Sequence, residues 1–215
     1  MSIIRIAIDG PSGAGKSTVA KALAKKMNMD YIDTGAMYRA VGYKMIQLNI
    51  GLSDREKLLK MLESTEIDFS YGNILLDGEI INDKIRNQEI AKMASDCSAL
   101  AEVREKLVEL QRKMGRLKSV VMDGRDIGTN VLKDAEYKFY ITATAEERAH
   151  RRWLELIEKG DRVEPETVLK EMIQRDINDS TRLLNPLRKA EDAIEIDSTK
   201  KNAVETTAEV LSYIK

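Results

Sequence analysis

Two chemically versatile residue types are almost missing from this 215-residue chain, which has one cysteine, Cys97, and one histidine, His150. A lone cysteine excludes an internal disulfide and a cysteine-built zinc site, and points to a reducing compartment. A lone histidine excludes a multi-histidine metal centre and a histidine-rich catalytic site. Net charge is also nearly absent: 35 lysines and arginines stand against 36 acids, leaving -1. Without a global basic field, nucleic acid is not an expected partner. No apolar stretch reaches the roughly 20 residues a membrane helix needs. The opening Met1-Ser2-Ile3-Ile4-Arg5 lacks a secretory pattern, because Arg5 and Asp9 interrupt the apolar run. Repeats and low-complexity segments are lacking too. What remains is 43% hydrophobic and 33% charged, the balance of a globular protein. A cytoplasmic monomer is expected, folded as one domain over 1–215 with an insertion.

What the chain does carry begins with Gly10-Pro11-Ser12-Gly13-Ala14-Gly15-Lys16-Ser17-Thr18. The segment satisfies the phosphate-binding pattern G-x-x-x-x-G-K-[ST] in full. An apolar run, Ile3 to Ile8, precedes it, and the helix formers Val19 to Met27 follow. Strand, glycine loop, helix is the order that wraps a polyphosphate, because the loop's N–H groups point inward and the helix N-terminus adds partial positive charge. Lys16 is placed to reach the β- and γ-phosphates of ATP, and the Ser17 hydroxyl to ligate Mg²⁺.

Further apolar runs at Tyr31-Ile32, Ser119 to Met122, Tyr137 to Ile141 and Ala193 to Ile196 alternate with helical patterns. The alternation predicts an α/β fold with a five-stranded parallel sheet flanked by helices. Acids follow four of the five runs, at Asp9, Asp33, Asp123 and Asp197. Ligands of such sheets bind beyond the strands' carboxyl ends, so these acids are expected to face the site. Asp123 is the candidate for holding the Mg²⁺ hydration shell. One segment breaks the alternation. Ser53-Asp54-Arg55-Glu56 fits a capping box, and Ile67 to Tyr71, Ile74 to Leu76 and Glu79 to Ile81 form a small antiparallel meander with turns at Gly72-Asn73 and Asp77-Gly78.

Three helices carry candidate residues. Thr34 is expected to cap the helix that brings Arg39 one turn in, an arrangement compatible with an anion site or with a plain surface arginine. A helix from Ser95 to Met114 has an apolar arc of Leu100, Val103, Leu107, Val108, Leu110 and Met114, with Arg104 inside it. A buried guanidinium needs acceptors, supplied by a structural carboxylate or by a ligand. A helix from Glu166 to Leu184 has a core face of Leu169, Ile173, Ile177 and Leu184, and an opposite stripe of Arg175, Asp179 and Arg182. By spacing alone that stripe reads as a solvated face with an ion pair. Arg148, Arg151 and Arg152 form a further cluster after the fourth strand, on what reads as a charged helix surface. So many arginines suit phosphoryl transfer, where positioning and charge neutralisation dominate and a phosphate acceptor needs no base.

Asp33-Thr34-Gly35-Ala36-Met37-Tyr38-Arg39, Asp83-Lys84-Ile85-Arg86, Val103-Arg104, Asp123-Gly124-Arg125-Asp126-Ile127-Gly128, Glu147-Arg148-Ala149-His150-Arg151-Arg152 and Arg175-Asp176-Ile177-Asn178-Asp179-Ser180-Thr181-Arg182, together with the glycine loop, resemble the bacterial cytidylate kinase family in order and spacing along nearly the whole chain. The resemblance implies the P-loop nucleoside monophosphate kinase fold, with a monophosphate-binding insertion at about 53–90 and a short lid at about 148–165. It implies transfer of the ATP γ-phosphoryl to CMP or dCMP with Mg²⁺. Ser95, Arg104 and Asp126 then match cytosine-binding residues, Arg39, Arg125 and Arg182 the acceptor-phosphate ligands, and Arg175 and Asp179 the ribose contacts. Thr34 keeps the hydroxyl that relatives supply with serine. Gly10 to Thr18 hold ATP. Lys16, Arg125, Arg182 and the lid-side Arg151 match catalytic positions, with Arg152 beside the last of these, and Ser17 and Asp123 (through water) match the metal site.

Three other readings compete, one of them a P-loop module that binds nucleotide without turnover. A shikimate or adenylate kinase on the same fold lacks a reason for Arg104 and the R-D-x-x-D-x-x-R stripe. A GTPase-type switch needs an N-K-x-D segment, which this chain does not contain.

Overall fold

Alternation of apolar and helical segments governs the chain order in the computed structural model, which describes residues 3–70 and 72–214. β1 (Arg5–Asp9), α1 (Lys16–Met27), β2 (Asp30–Asp33), α2 (Thr34–Gln47) and α3 (Arg55–Glu63) lead into the short strands β3 (Ile67–Ser70), β4 (Asn73–Leu76) and β5 (Glu79–Ile80). Then come α4 (Gln88–Cys97), α5 (Ala101–Leu117), β6 (Val120–Gly124) and a π-helical turn (Ile127–Val131). β7 (Tyr137–Thr142), α6 (Ala145–Glu158), α7 (Pro165–Thr181), β8 (Ile194–Asp197) and α8 (Ala203–Ser212) complete it.

The five long-range strands lie in the order β2-β6-β1-β7-β8. β1 pairs in parallel with β6 and β7, in a register that sets Ile8 opposite Asp123 and Asp9 opposite Gly124. The glycine loop and the Asp123 segment therefore leave the sheet side by side. Four of β1's five residues are buried, as expected for a central parallel strand covered on both faces.

Two compact units make up the described residues: those of Met1–Tyr31 with Lys118–Lys215, and those of Ile32–Leu117. In the first, Ile6, Ile8, Val121, Phe139, Ile141 and Ile196 pack against Val19 and Leu23 of α1. Each such side chain contributes about 1.5–3 kcal/mol of burial. A second cluster, Ala149, Leu156, Val168 and Met172, joins α6 to α7. In the second unit, Met37, Val41 and Met45 of α2 and Val103 and Leu107 of α5 are fully buried. The meander pairs Ile67 with Leu76 and Leu75 with Ile80. Its second turn has Asp77 and Gly78 at φ 51° and 85°, the geometry of a two-residue hairpin. The expected first strand ran to Tyr71, which lies outside the described residues.

Four local expectations are corrected. Ser53 opens no capping box: α3 starts after Asp54, whose carboxylate accepts the Gly51 N–H at 2.9 Å instead of capping the helix. Asp33, not Thr34, caps α2, because it ends β2 in extended geometry and accepts the Ala36 N–H at 2.8 Å. The helix expected over Ser95 to Met114 is two helices. It breaks where the Ser98 hydroxyl bonds back to the Ser95 carbonyl at 2.7 Å and Leu100 N–H turns to Cys97, local bonding that competes with helix continuation. The faces of α7 are exchanged in part: Leu169 packs on the α6–α7 cluster as expected, but Leu184 lies beyond the helix and the rest of the expected core face turns outward. Ile173, Ile177 and Leu184 are 41%, 47% and 42% exposed, and Val168, Met172 and Asp179 are buried. Ile173 and Ile177 line a cavity of about 400 Å³ with Pro11 and Leu187. The charged stripe goes inward because other elements supply its counter-charges.

Candidate active site

Geometry at the end of β1 begins with glycine. Gly10 has φ 145°, and a Cβ there would lie 1.9 Å from the Ile141 carbonyl oxygen, so no other residue fits the approach of loop to β7. Gly15 precedes α1 at φ 85°. The loop presents Lys16 as the first residue of α1, 5% exposed, with Nζ donating to the Pro11 carbonyl at 2.7 Å. Burial, then repulsion from Arg125, pushes its ammonium down to about 7, against the pull of Asp123.

Ser17 Oγ donates to Asp123 Oδ2 at 2.8 Å, and Tyr31 Oη to Asp123 Oδ1 at 2.8 Å. A hydroxyl and a carboxylate are hard oxygen donors, the set that suits a Mg²⁺ carried in by a nucleotide with most of its waters kept. Ser17 and Asp123 thus meet as expected. The other strand-end acids do different work. Asp33 caps α2 and pairs with Arg39 at 3.0 Å. Asp197 accepts the Thr199 N–H and hydroxyl. Asp9 holds backbone.

Beyond β6 the sequence stripe becomes a charge network. Arg125 Nε donates to Asp179 Oδ2 at 2.7 Å, and Arg182 Nη2 to Asp126 Oδ1 at 2.9 Å, with Arg182 and Asp179 at 3.9 Å. Arg182 reaches there from outside the helix, in extended conformation after Thr181. Burial alone would raise Asp179, but the charges of Arg125 and Arg175 hold it below the usual carboxylate range. A buried pair of this kind is weak evidence for stability, because desolvation offsets attraction. It is stronger evidence for a site built to receive a charged ligand.

The second unit holds the remaining candidates. Thr34 is buried at the start of α2. Ser95 lies on α4 and Arg104 on α5. Arg104 is 2% exposed, with Nη1 donating to the Ser98 carbonyl at 3.4 Å and its guanidinium 5.9 Å from the Tyr38 ring centroid. The buried guanidinium inferred from periodicity is therefore real, and an aromatic face supports it. Arg151 is held by Glu147 at 2.8 Å and by the Ser198 carbonyl at 2.7 Å, and Arg152 pairs with Glu155 at 3.0 Å.

Periodicity missed several residues. Arg148 is not on a charged surface but buried, donating to the Ala143 carbonyl at 2.9 Å, the Ser12 carbonyl at 3.0 Å and Asp176 at 2.7 Å. It ties the glycine loop to α7. Only its place in Glu147-Arg148-Ala149 hinted at this. Tyr31 became visible once β2 lay beside β6, and Tyr38 once the α2 and α5 contacts formed. Burial pushes the Cys97 thiol up to about 12, leaving it protonated and unreactive. His150 stacks on Trp153, with centroids 6.1 Å apart.

Comparison with known proteins agrees with this geometry. A family model described as cytidylate kinase matches residues 6–215. A protein named cytidylate kinase from Caldicellulosiruptor saccharolyticus is 54% identical, covering 98% of this chain and 95% of its own. Another so named, from Clostridioides difficile, is 49% identical and covers 100% and 99%. Among solved structures, a shikimate kinase from Acinetobacter baumannii aligns with a TM-score of 0.50 at 16% identity over 100% of this chain and 97% of that one, a likeness of fold alone. A match that spans the glycine loop, the Asp123 segment and the arginine stripe in one family model places this chain in the cytidylate kinase family.

Proposed function

We propose that this chain transfers the γ-phosphoryl of ATP to CMP and dCMP, and that it works as a cytoplasmic monomer. The observation that carries the reading is the network of Arg125, Asp179, Arg182 and Asp126, whose Arg125 and Asp179 also act electrostatically on Lys16. Arginines neutralised by two carboxylates are what a phosphate-accepting site needs before its ligand arrives. The lone buried Cys97 suits the reducing compartment.

Residue roles follow the chemistry of the ligand. Gly10 to Thr18 cradle the ATP phosphates, with Lys16 neutralising the transferring group. Ser17 and, through water, Asp123 hold Mg²⁺, which when bound neutralises charge on the β- and γ-phosphates. Arg39, Arg125 and Arg182 orient the acceptor phosphate, whose oxygen attacks without a base because it is already ionised. Arg104 donates to cytosine O2 and N3, and Asp126 and Ser95 accept from its amino group. Arg175 and Asp179 meet the ribose, and the Thr34 hydroxyl lies on the same substrate. Arg151 acts on the donor phosphates once its guanidinium leaves the Ser198 carbonyl.

A coupled assay across CMP, dCMP, UMP and AMP tests the activity. ADP is expected with CMP and dCMP and far less with AMP. Equal rates with AMP and CMP would end the proposal. A second experiment tests the acceptor side. Asp179→Ala should raise the Michaelis constant for CMP and leave that for ATP nearly unchanged. Arg182→Ala should mainly lower turnover, because phosphate charge shifts in the transition state. A larger effect of Asp179→Ala on ATP than on CMP would move this residue to the donor side.

A further inference from the structure

Asp9 is the last residue of β1 and directly precedes Gly10. It is 3% exposed. Its Oδ1 accepts the Ile127 N–H at 2.8 Å and its Oδ2 accepts the Gly128 N–H at 2.7 Å. These are the first N–H groups of the π-helical turn, donors that a helical turn leaves without internal partners. The residue at the ordinary capping position is Asp126, and its side chain makes no capping bond. Instead its carboxylate takes Arg182 on one oxygen and Asn130 on the other, at 2.9 and 3.0 Å.

We infer that Asp9 is a positioning residue for phosphoryl transfer. By capping the 127–131 turn from 118 residues away, it leaves the Asp126 carboxylate to hold Arg182 and Asn130 and fixes the Arg125-Asp126 pair relative to the root of the ATP loop. Both Asp9 oxygens are bonded to backbone donors, so it acts through the loop and not on a substrate. Gly128 is part of the same device, since a Cβ there would lie 3.4 Å from Asp9 Oδ2 and 3.2 Å from Lys138. π-helical turns recur at functional sites. A loop displaced by about 1 Å costs roughly 100-fold in such reactions.

This inference rests on the CMP kinase reading, and the test separates the two. If the unaltered protein gives no CMP-dependent ADP, the functional reading fails first. With activity in hand, Asp9→Ala and Asp9→Asn are compared in kinetics, ATP binding and amide exchange. Asp9→Ala should lower turnover by roughly 100-fold, and Asp9→Asn, which keeps one acceptor, by less. Exchange of the Ile127 and Gly128 amides should accelerate in both variants, with ATP affinity within about twofold of the parent. In an Arg125→Ala background, removal of Asp9 should add little further loss, because the two act as a unit. A folded Asp9 variant with parental turnover overturns the inference, as does a loss that multiplies fully with Arg125→Ala. Should Asp9→Ala not fold, Asp9→Asn decides by the same criteria.

Discussion

Replacing Lys16 with alanine should lower turnover by roughly 100- to 1000-fold, the range seen when one donor to a developing charge is removed. The fold should survive. Lys16 is a buried cation under repulsion from Arg125 and Arg175, and its Nζ donates to a carbonyl of its own loop, that of Pro11. Its removal therefore takes away one hydrogen bond, about 1 kcal/mol, and relieves like-charge repulsion. A polyphosphate reverses the balance, because its negative charge favours the ammonium that burial alone disfavours. Lys16→Met serves as the control for volume. Circular dichroism should show a parental spectrum beside a coupled assay near background. Turnover within tenfold of the parent would remove Lys16 from the mechanism.

Arg104→Met should raise the Michaelis constant for CMP by about 30-fold or more, equivalent to roughly 2 kcal/mol for lost charged hydrogen bonds. The constant for ATP should not change. Methionine follows the stem of arginine and fills the arc beside Val103, Leu107 and Val108, all buried. It gives up the contact with Tyr38 and the bond to the Ser98 carbonyl. It also removes a buried charge, and replacing buried ionic groups with apolar ones of similar volume is often neutral or stabilising. Thermal unfolding without substrate should give a midpoint no lower than the parent's. An unchanged CMP constant would make Arg104 a structural cation only. A reduced midpoint with an unchanged constant would make the same point more strongly.

Much of the architecture was legible because parallel strands buried on both faces read as unbroken apolar runs. Ile6 to Ile8, Val120 to Met122 and Phe139 to Ile141 leave few alternatives once helical segments lie between them. The glycine loop was legible for a different reason. Its conformation is set by residue type, and at Gly10 the close approach of the Ile141 carbonyl allows only glycine. Arg104 was found because a charge inside an apolar arc violates a one-dimensional pattern. Where two cap residues competed, as with Asp33 and Thr34, a one-residue offset was enough to mislead, since each is a competent cap by type, and before α3 the Asp54 carboxylate turned to the Gly51 N–H and capped nothing.

The α7 stripe shows where local pattern stops. Periodicity assigned Ile173 and Ile177 to the core and Arg175 and Asp179 to solvent, on the rule that apolar faces turn inward. That rule has no knowledge of partners far along the chain. Arg125, 54 residues from Asp179, and Asp126, 56 residues from Arg182, supply the counter-charges that make burial of this face affordable. The same holds for Asp9 and Arg148. By type they are a strand-end acid and a surface arginine, and only the register of β1 beside β6 and the packing of α6 on α7 gave them backbone and charge to bind. Sequence by itself determined the sheet, the phosphate loop and the chemical kinds of residue at the site. Tertiary structure alone decided which charges are neutralised and by whom, because Coulombic and hydrogen-bond energies depend on distances in space that separation along the chain does not encode.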